Sequence, residues 1–186
     1  TADGKEIQNS SYRALKNGIK LNDVFKMVKK YKNNQNAKPL ILMGYYQMIF
    51  NYGEKKFIIE CKKAGVNGLI VVDLSYPDNK KFASLCKKNS ICFIQLIAPT
   101  TNIKRMKEII KISHEMIYMI SMISTTGSAL KVTTRKIMKN YDIIKKVNPS
   151  KNVAIGFGIT EKTIASLKKA NGLVVGSALC KEISKS

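Results

Sequence analysis

Three short stretches place glycine next to small residues in a way suited to holding an anion: Ser124-Thr-Thr-Gly127, Gly156-Phe-Gly158-Ile-Thr160 and Gly176-Ser177-Ala178. Each directly follows an apolar, β-branched run. Glycine at a strand end lets backbone N–H groups approach an anion closely, and a helix opening at Ser177 adds its partial positive charge. A single such glycine reads as a plain turn; three at equivalent places favour a phosphate site. The other polar residues at or near run ends are Tyr45, Asp73, Thr100 and Tyr118, and Asp3 stands near the start in Ala2-Asp3-Gly4. For these, two readings stay open. Asp73 can bind a ligand or cap a helix, Tyr118 can face a site or pack in the core, and Asp3 can act chemically or serve an Asp-Gly turn.

Other chemistries are poorly served. His114 is the one histidine, and the four cysteines (Cys61, Cys86, Cys92, Cys180) lack a C-x-x-C pair, so neither a zinc site nor a Ser-His-Asp triad is expected. Buried thiols in a cytoplasmic protein are the expectation. The formal charge of +21 invites a nucleic-acid reading. Yet only Arg13, Arg105 and Arg135 are arginines, and lysine pairs such as Lys29-Lys30, Lys62-Lys63 and Lys145-Lys146 are spread over the whole chain. Solvated helix faces explain them, so no specific nucleic acid is expected as a partner. No apolar run approaches the ~18 residues of a membrane span, and these residues hold no charged-then-apolar stretch, so neither a membrane span nor a signal peptide is expected.

These residues need elements to position them. Runs at Pro39–Met43, Gly68–Val72, Ile91–Leu96, Met116–Ile120, Asn152–Ile155 and Gly172–Val175 read as strands apolar on both faces. Helical patterns alternate with them. The first spans Asn9 to Lys32; the second opens at Asn51, with Glu54 at capping-box spacing. Pro77 suits the first turn of the third, Asn102–Ser113 and Thr133–Val147 follow, Thr160 caps another, and the last begins near Ser177. Strand-loop-helix repetition implies a parallel sheet, as residues 1–186 of one partial domain. An eight-stranded (β/α)₈ barrel takes ~250 residues, so six strands suggest a TIM barrel lacking its first two. An open doubly wound sheet has the same periodicity.

In order and spacing, Ala2-Asp3-Gly4 with Ile7-Gln8-Asn9, Leu42-Met43-Gly44-Tyr45-Tyr46, Gly65-Val66-Asn67-Gly68, Ala98-Pro99-Thr100, Gly156-Phe157-Gly158-Ile159 and Gly176-Ser177-Ala178 resemble the tryptophan synthase alpha chain family over essentially the whole sequence. The resemblance implies a lyase of tryptophan biosynthesis that cleaves indole-3-glycerol phosphate to indole and glyceraldehyde 3-phosphate. Asp3 matches the family's aspartate at the indole nitrogen, and Thr126 the loop threonine that bonds it on closure. Tyr118 matches the tyrosine beside the glycerol portion, and Tyr45 a substrate-pocket tyrosine. Gly127, Gly158, Gly176 and Ser177 match the phosphate cradle. The implied partner is the beta chain, in an alpha2-beta2 tetramer; pyridoxal phosphate belongs to that partner, with no cofactor in this chain.

The sequence also departs from the family pattern. The family's second catalytic carboxylate, a glutamate on its second strand, falls upstream of Thr1, so this stretch alone is expected to be inactive. Gly-Val-Thr-Gly of relatives reads Ser124-Thr-Thr-Gly127, the arginine-bearing stretch after it is shortened to Ser128-Ala129-Leu130, Asp-Leu-Pro reads Asp73-Leu74-Ser75, and Asn-Pro reads Gln47-Met48. These changes motivate an alternative, a degenerate phosphate-binding subunit that only modulates the beta chain.

Overall fold

The computed structural model describes residues 3–121, 123–125, 128–130, 133–156, 159 and 161–185. Its elements in chain order begin with α1 (Lys5–Lys16), α2 (Leu21–Lys32), β1 (Ile41–Gly44), α3 (Tyr46–Tyr52), α4 (Glu54–Ala64) and β2 (Gly68–Val71). Next come α5 (Lys80–Lys88), β3 (Cys92–Phe93), β4 (Gln95–Ile97), α6 (Ile103–Ile112) and β5 (Met116–Ile120). A short hairpin, β6 (Ile123–Thr125) and β7 (Ser128–Leu130), leads to α7 (Thr134–Val147), β8 (Asn152–Gly156), α8 (Glu161–Leu167), β9 (Gly172–Val174) and α9 (Ser177–Ile183). Two compact units result. One comprises Ile19–Leu96 with Ser113–Glu115, the other Thr1–Gly18, Ile97–Ile112 and Met116–Ser186.

In the first unit, β1, β2 and β3 pair in that order, all parallel, with Ile41 opposite Gly68 and Gly68 opposite Cys92. Every residue of the central strand β2 is buried, as a parallel strand covered on both faces requires. Helices α2, α4 and α5 supply the cover: Phe25, Val28, Phe57, Ile58, Cys61, Phe82 and Cys86 are buried against Leu69, Val71 and Phe93. Phe25 and Phe57 rings stand 5.8 Å apart, and Phe82 meets Phe93 edge-on at 5.7 Å. The lone histidine is structural, its Nδ1 accepting the Phe93 N–H at 3.0 Å. In the second unit β5, β8 and β9 pair in parallel, Met116 opposite Asn152 and Ala154 opposite Gly172. Ile117, Met119, Val153 and Ile155 are buried there with Met106 and Ile110 of α6 and Ile144 of α7.

The six expected strands are all present, with the run at Ile91–Leu96 divided into β3 and β4. Helix boundaries differ more. The single helix expected over Asn9–Lys32 is two helices. Asn17 ends α1 and Gly18 follows at φ +72°, a conformation that costs a side-chain-bearing residue free energy and suits a helix C-terminus. The helix expected to open at Asn51 is likewise two, since Asn51 lies inside α3 and Gly53, at φ +91°, separates α3 from α4. The capping box with Glu54 does not form; that carboxylate accepts the Tyr46 phenol at 2.9 Å instead. Pro77 lies in a turn ahead of α5, whose N-cap is Asn79, rather than in its first helical turn. The helices expected from Asn102 and Thr133 form, and both residues accept a first-turn amide: Thr133 that of Lys136, and Asn102 Oδ1 that of Arg105 at 2.8 Å. Thr160 lies outside the described residues.

Burial sets the state of two thiols. Cys61 and Cys86 are fully buried, while Cys92 and Cys180 are half-buried. Burial pushes both buried thiols up to about 12. They stay neutral at physiological pH and unreactive, because the thiolate is the nucleophile. Brief treatment of the native protein with iodoacetamide is expected to label Cys180 and spare Cys61 and Cys86; peptide mass spectrometry showing early labelling at Cys61 would contradict their packing. The linkage has a sign. In the unfolded chain these thiols titrate near their ordinary value of 9.0, so the folded state keeps protons the unfolded state loses. Their contribution to stability is complete below about pH 9 and declines as pH rises towards about 12.

Candidate active site

Ligands of parallel sheets bind beyond the carboxyl ends of the strands. In the second unit β9 ends at Val174, and Gly176 then caps α9 without any capping side chain. The first amides of a helix have no acceptor within it, and no side chain of Gly176 caps those of α9. The front of the chain packs here. A Cβ placed on Gly4 would stand 3.6 Å from the Ser177 hydroxyl oxygen, and one placed on Gly176 would stand 3.5 Å from the Ile7 methyl. Helix α1 and helix α9 are therefore in direct contact, with Gly4 beside Ser177. Asp3 is half-buried, and its carbonyl accepts Nε2 of Gln8 at 2.7 Å, which fixes the backbone of the turn.

One strand pair away, Tyr118 is 4% exposed and faces Ala154 in the β5–β8 register. Its phenol covers the Cα of Gly156 so closely that any Cβ there would overlap the Tyr118 hydroxyl. Burial pushes this phenol up to about 12, so it is a neutral hydrogen-bond donor at physiological pH. Ser121, just past β5 and buried, donates both its hydroxyl (2.7 Å) and its N–H (2.8 Å) to the Gly156 carbonyl. Sequence reasoning missed Ser121; a small hydroxyl residue directly after a strand was the available signal. Tyr118, Ser121 and Gly156 thus interlock immediately before the Phe157-Gly158 segment.

Of the expected site residues, Gly176 and Ser177 lie against the start of the chain at Ile7 and at Gly4, the neighbour of Asp3, and Tyr118, in the middle of β5, lies in the same unit. Thr126, Gly127 and Gly158 lie outside the described residues. Tyr45 belongs to the other unit, as the half-buried N-cap of α3. There Asp73 takes the capping role, Oδ1 accepting the Tyr46 N–H at 2.6 Å. The hydrogen bond to Glu54, with burial, raises the Tyr46 phenol above its ordinary range. Thr100 is exposed; its neighbour Thr101 accepts the Ala98 amide at 3.0 Å. Among the described residues no group of three or more histidine, cysteine or acidic side chains could hold a metal ion, and no helix is long and apolar enough to cross a membrane.

The sequence profile of one family, the tryptophan synthase alpha chain, matches residues 1–186. The chain belongs to the tryptophan synthase alpha chain family. The alpha chain of Pelagibacter ubique is 65% identical over 185 residues, which are 100% of this chain and 70% of that one. That of Pyrococcus furiosus is 38% identical over 189 residues, 99% of this chain and 74% of the relative. In three dimensions the chain matches the crystal structure of the Pyrococcus furiosus tryptophan synthase complex with a TM-score of 0.85 at 37% identity, over 99% of this chain and 73% of that one. A structure from the same organism described as the mutual activation of the tryptophan synthase a2b2 complex matches with the same TM-score and identity. The alternation of parallel strands and helices is accordingly that of family structures, and the chain's role is in tryptophan biosynthesis, as a lyase component. Agreement along the full chain does not favour the alternative of a degenerate subunit that only modulates a partner.

Proposed function

We propose that this chain carries the retro-aldol half of tryptophan synthesis, cleaving indole-3-glycerol phosphate to indole and glyceraldehyde 3-phosphate. The observation that supports the reading is the packing of Gly4, the neighbour of Asp3, on Ser177 at the start of α9. In this reading the amides of Gly127, Gly158, Gly176 and Ser177 hold the phosphoryl group, using the charge at the start of α9. The carboxylate of Asp3 takes the hydrogen of the indole nitrogen as C3 gains a proton, giving the indolenine. Breaking the bond between C3 and the glycerol carbon returns its electron pair to the ring, and protonated Asp3 gives the hydrogen back to the nitrogen, so that indole leaves neutral and Asp3 is again a carboxylate. The neighbouring hydroxyl gives up its proton and becomes the aldehyde. Tyr118, a neutral donor, lies beside the glycerol portion, Tyr45 borders the pocket, and Thr126 bonds Asp3 when the loop closes over the substrate.

Deprotonating the glycerol hydroxyl calls for a second carboxylate, and the family resemblance assigns it to a strand outside these 186 residues. The 186 residues by themselves would then release no indole. The same reading makes them six strands of one eight-stranded barrel domain, with β1 and β9, each at the edge of its sheet, free to pair with added strands. The exposure of Ile41 and Met43 on β1 and of Val174 on β9 supports it, since apolar strand faces are normally covered. The chain would work in the cytoplasm with a beta chain that holds the pyridoxal phosphate, in an alpha2-beta2 assembly. Steady-state indole release by the full-length protein, with and without beta chain, tests the proposal. Turnover that saturates with indole-3-glycerol phosphate is expected. No turnover under either condition would overturn it.

A further inference from the structure

Two hydrogen bonds join the carboxyl ends of the neighbouring parallel strands β1 and β2. The Val72 N–H donates to the Gly44 carbonyl at 3.1 Å, and the Asp73 carboxylate accepts the Tyr46 N–H at 2.6 Å. Tyr45 stands between these two anchored positions, in the extended conformation (φ −107°, ψ 144°) that turns the strand into α3. The far side of the turn is held as well. The Tyr46 phenol donates to Glu54 at 2.9 Å, and its ring packs near Phe50 and edge-on to Phe82, at 6.0 and 6.2 Å. Tyr45 is thus a half-buried aromatic residue at the ligand-binding end of the sheet, with its backbone fixed on both sides. The tie on its helix side comes from one exposed side chain, Asp73.

We infer that Asp73 is a positioning residue, aiming Tyr45 at the substrate by anchoring the Tyr46 amide across the β1–β2 strand ends; this rests on the reading of Tyr45 as a pocket residue. A charge-assisted bond of this kind is stronger than a neutral one and leaves the turn little freedom. The amino ends of the same strands provide a control. There Asn67 Oδ1 accepts the Leu40 N–H at 2.8 Å and Lys32 Nζ at 2.7 Å, a polar tie far along the strands from Tyr45.

The test is steady-state indole release by the full-length protein. Asp73→Ala is expected to raise KM about tenfold and leave kcat within about twofold, the signature of lost substrate binding. Asp73→Asn, whose amide oxygen still accepts the Tyr46 N–H, is expected to bring KM back to within about threefold of the parent. Asp73→Glu, which displaces the oxygen by one methylene, raises KM severalfold and stands in for alanine if alanine does not fold. Asn67→Ala is expected to lower the melting temperature and leave KM unchanged. Unchanged KM in Asp73→Ala and Asp73→Glu overturns the inference, as does an equal loss of kcat in Asp73→Asn and Asp73→Ala, or a KM rise in Asn67→Ala matching that of Asp73→Ala. Tyr45→Ala separates the premises: unchanged KM there removes the pocket role of Tyr45, whereas a parent without turnover removes the proposed activity itself.

Discussion

Asp3→Asn in the full-length protein is expected to lower kcat for indole release by about 10²–10⁴-fold, the range that a positioned acid–base group supplies. The substitution keeps the shape of the side chain and leaves the backbone carbonyl that accepts Gln8 Nε2 in place. It removes the negative charge. An uncharged amide cannot take the indole hydrogen, so the ring does not reach the form from which C3 can leave. In the proposed mechanism phosphate binding draws on the other side of the arrangement, the start of α9, where no side chain caps the amides. KM is therefore expected to change by no more than about threefold, because the lost interaction belongs to the transition state. The reverse pattern, with KM raised and kcat kept, would make Asp3 a binding residue only. Indole release at parental rate would remove its chemical role altogether.

Residue types and order carried the family resemblance that assigns Asp3 and Ser177 to one site; the packing of Gly4 on Ser177 is visible only in the fold. The strands were legible because parallel strands covered on both faces need continuous apolar, β-branched runs, as Gly68–Val71 supplies. The breaks at Gly18 and Gly53 were not. The amphipathic pattern resumes almost in phase on the far side of each, and only the backbone angle reveals the interruption. The β6–β7 hairpin escaped for a different reason. Its strands, Ile123–Thr125 and Ser128–Leu130, are too short and too polar to carry a strand signal.

The candidate site shows the same division. Asp73 as a helix cap was open to sequence reasoning, because a carboxylate just after a strand has few local roles. The interlock of Tyr118, Ser121 and Gly156 was closed to it. Whether Tyr118 faces Gly156 depends on the register of β5 against β8, which is set by packing along the whole pair and not by local residues. Glycine in Gly-Phe-Gly-Ile reads from sequence as a loop that admits an anion. In the fold, Gly156 is the last strand residue, and it is glycine because an aromatic ring occupies the space of its side chain.

That reading of Gly156 gives a second large effect. Gly156→Ala places a methyl group where the Tyr118 phenol now stands, in a strand whose residues from Val153 to Gly156 are buried. Overpacking of this kind costs about 1–3 kcal/mol of stability. The ring is the movable part, so the relief comes from displacing the Tyr118 hydroxyl. A misplacement near 1 Å in a positioned group can cost about 10²-fold in rate, and a kcat/KM loss of that order is expected for indole release. Tyr118→Phe removes the hydroxyl without moving the ring and measures what that group alone contributes. Gly172→Ala, in the neighbouring strand, is the control: no atom of the described residues lies within 4 Å of a Cβ built there, so it should leave both stability and rate near parental values. A Gly156→Ala protein with parental kcat/KM and melting temperature would mean that the ring and the strand do not meet as described. If its kcat/KM fell no further than that of Tyr118→Phe, Gly156 would matter through the hydroxyl alone and not through the placement of the whole ring.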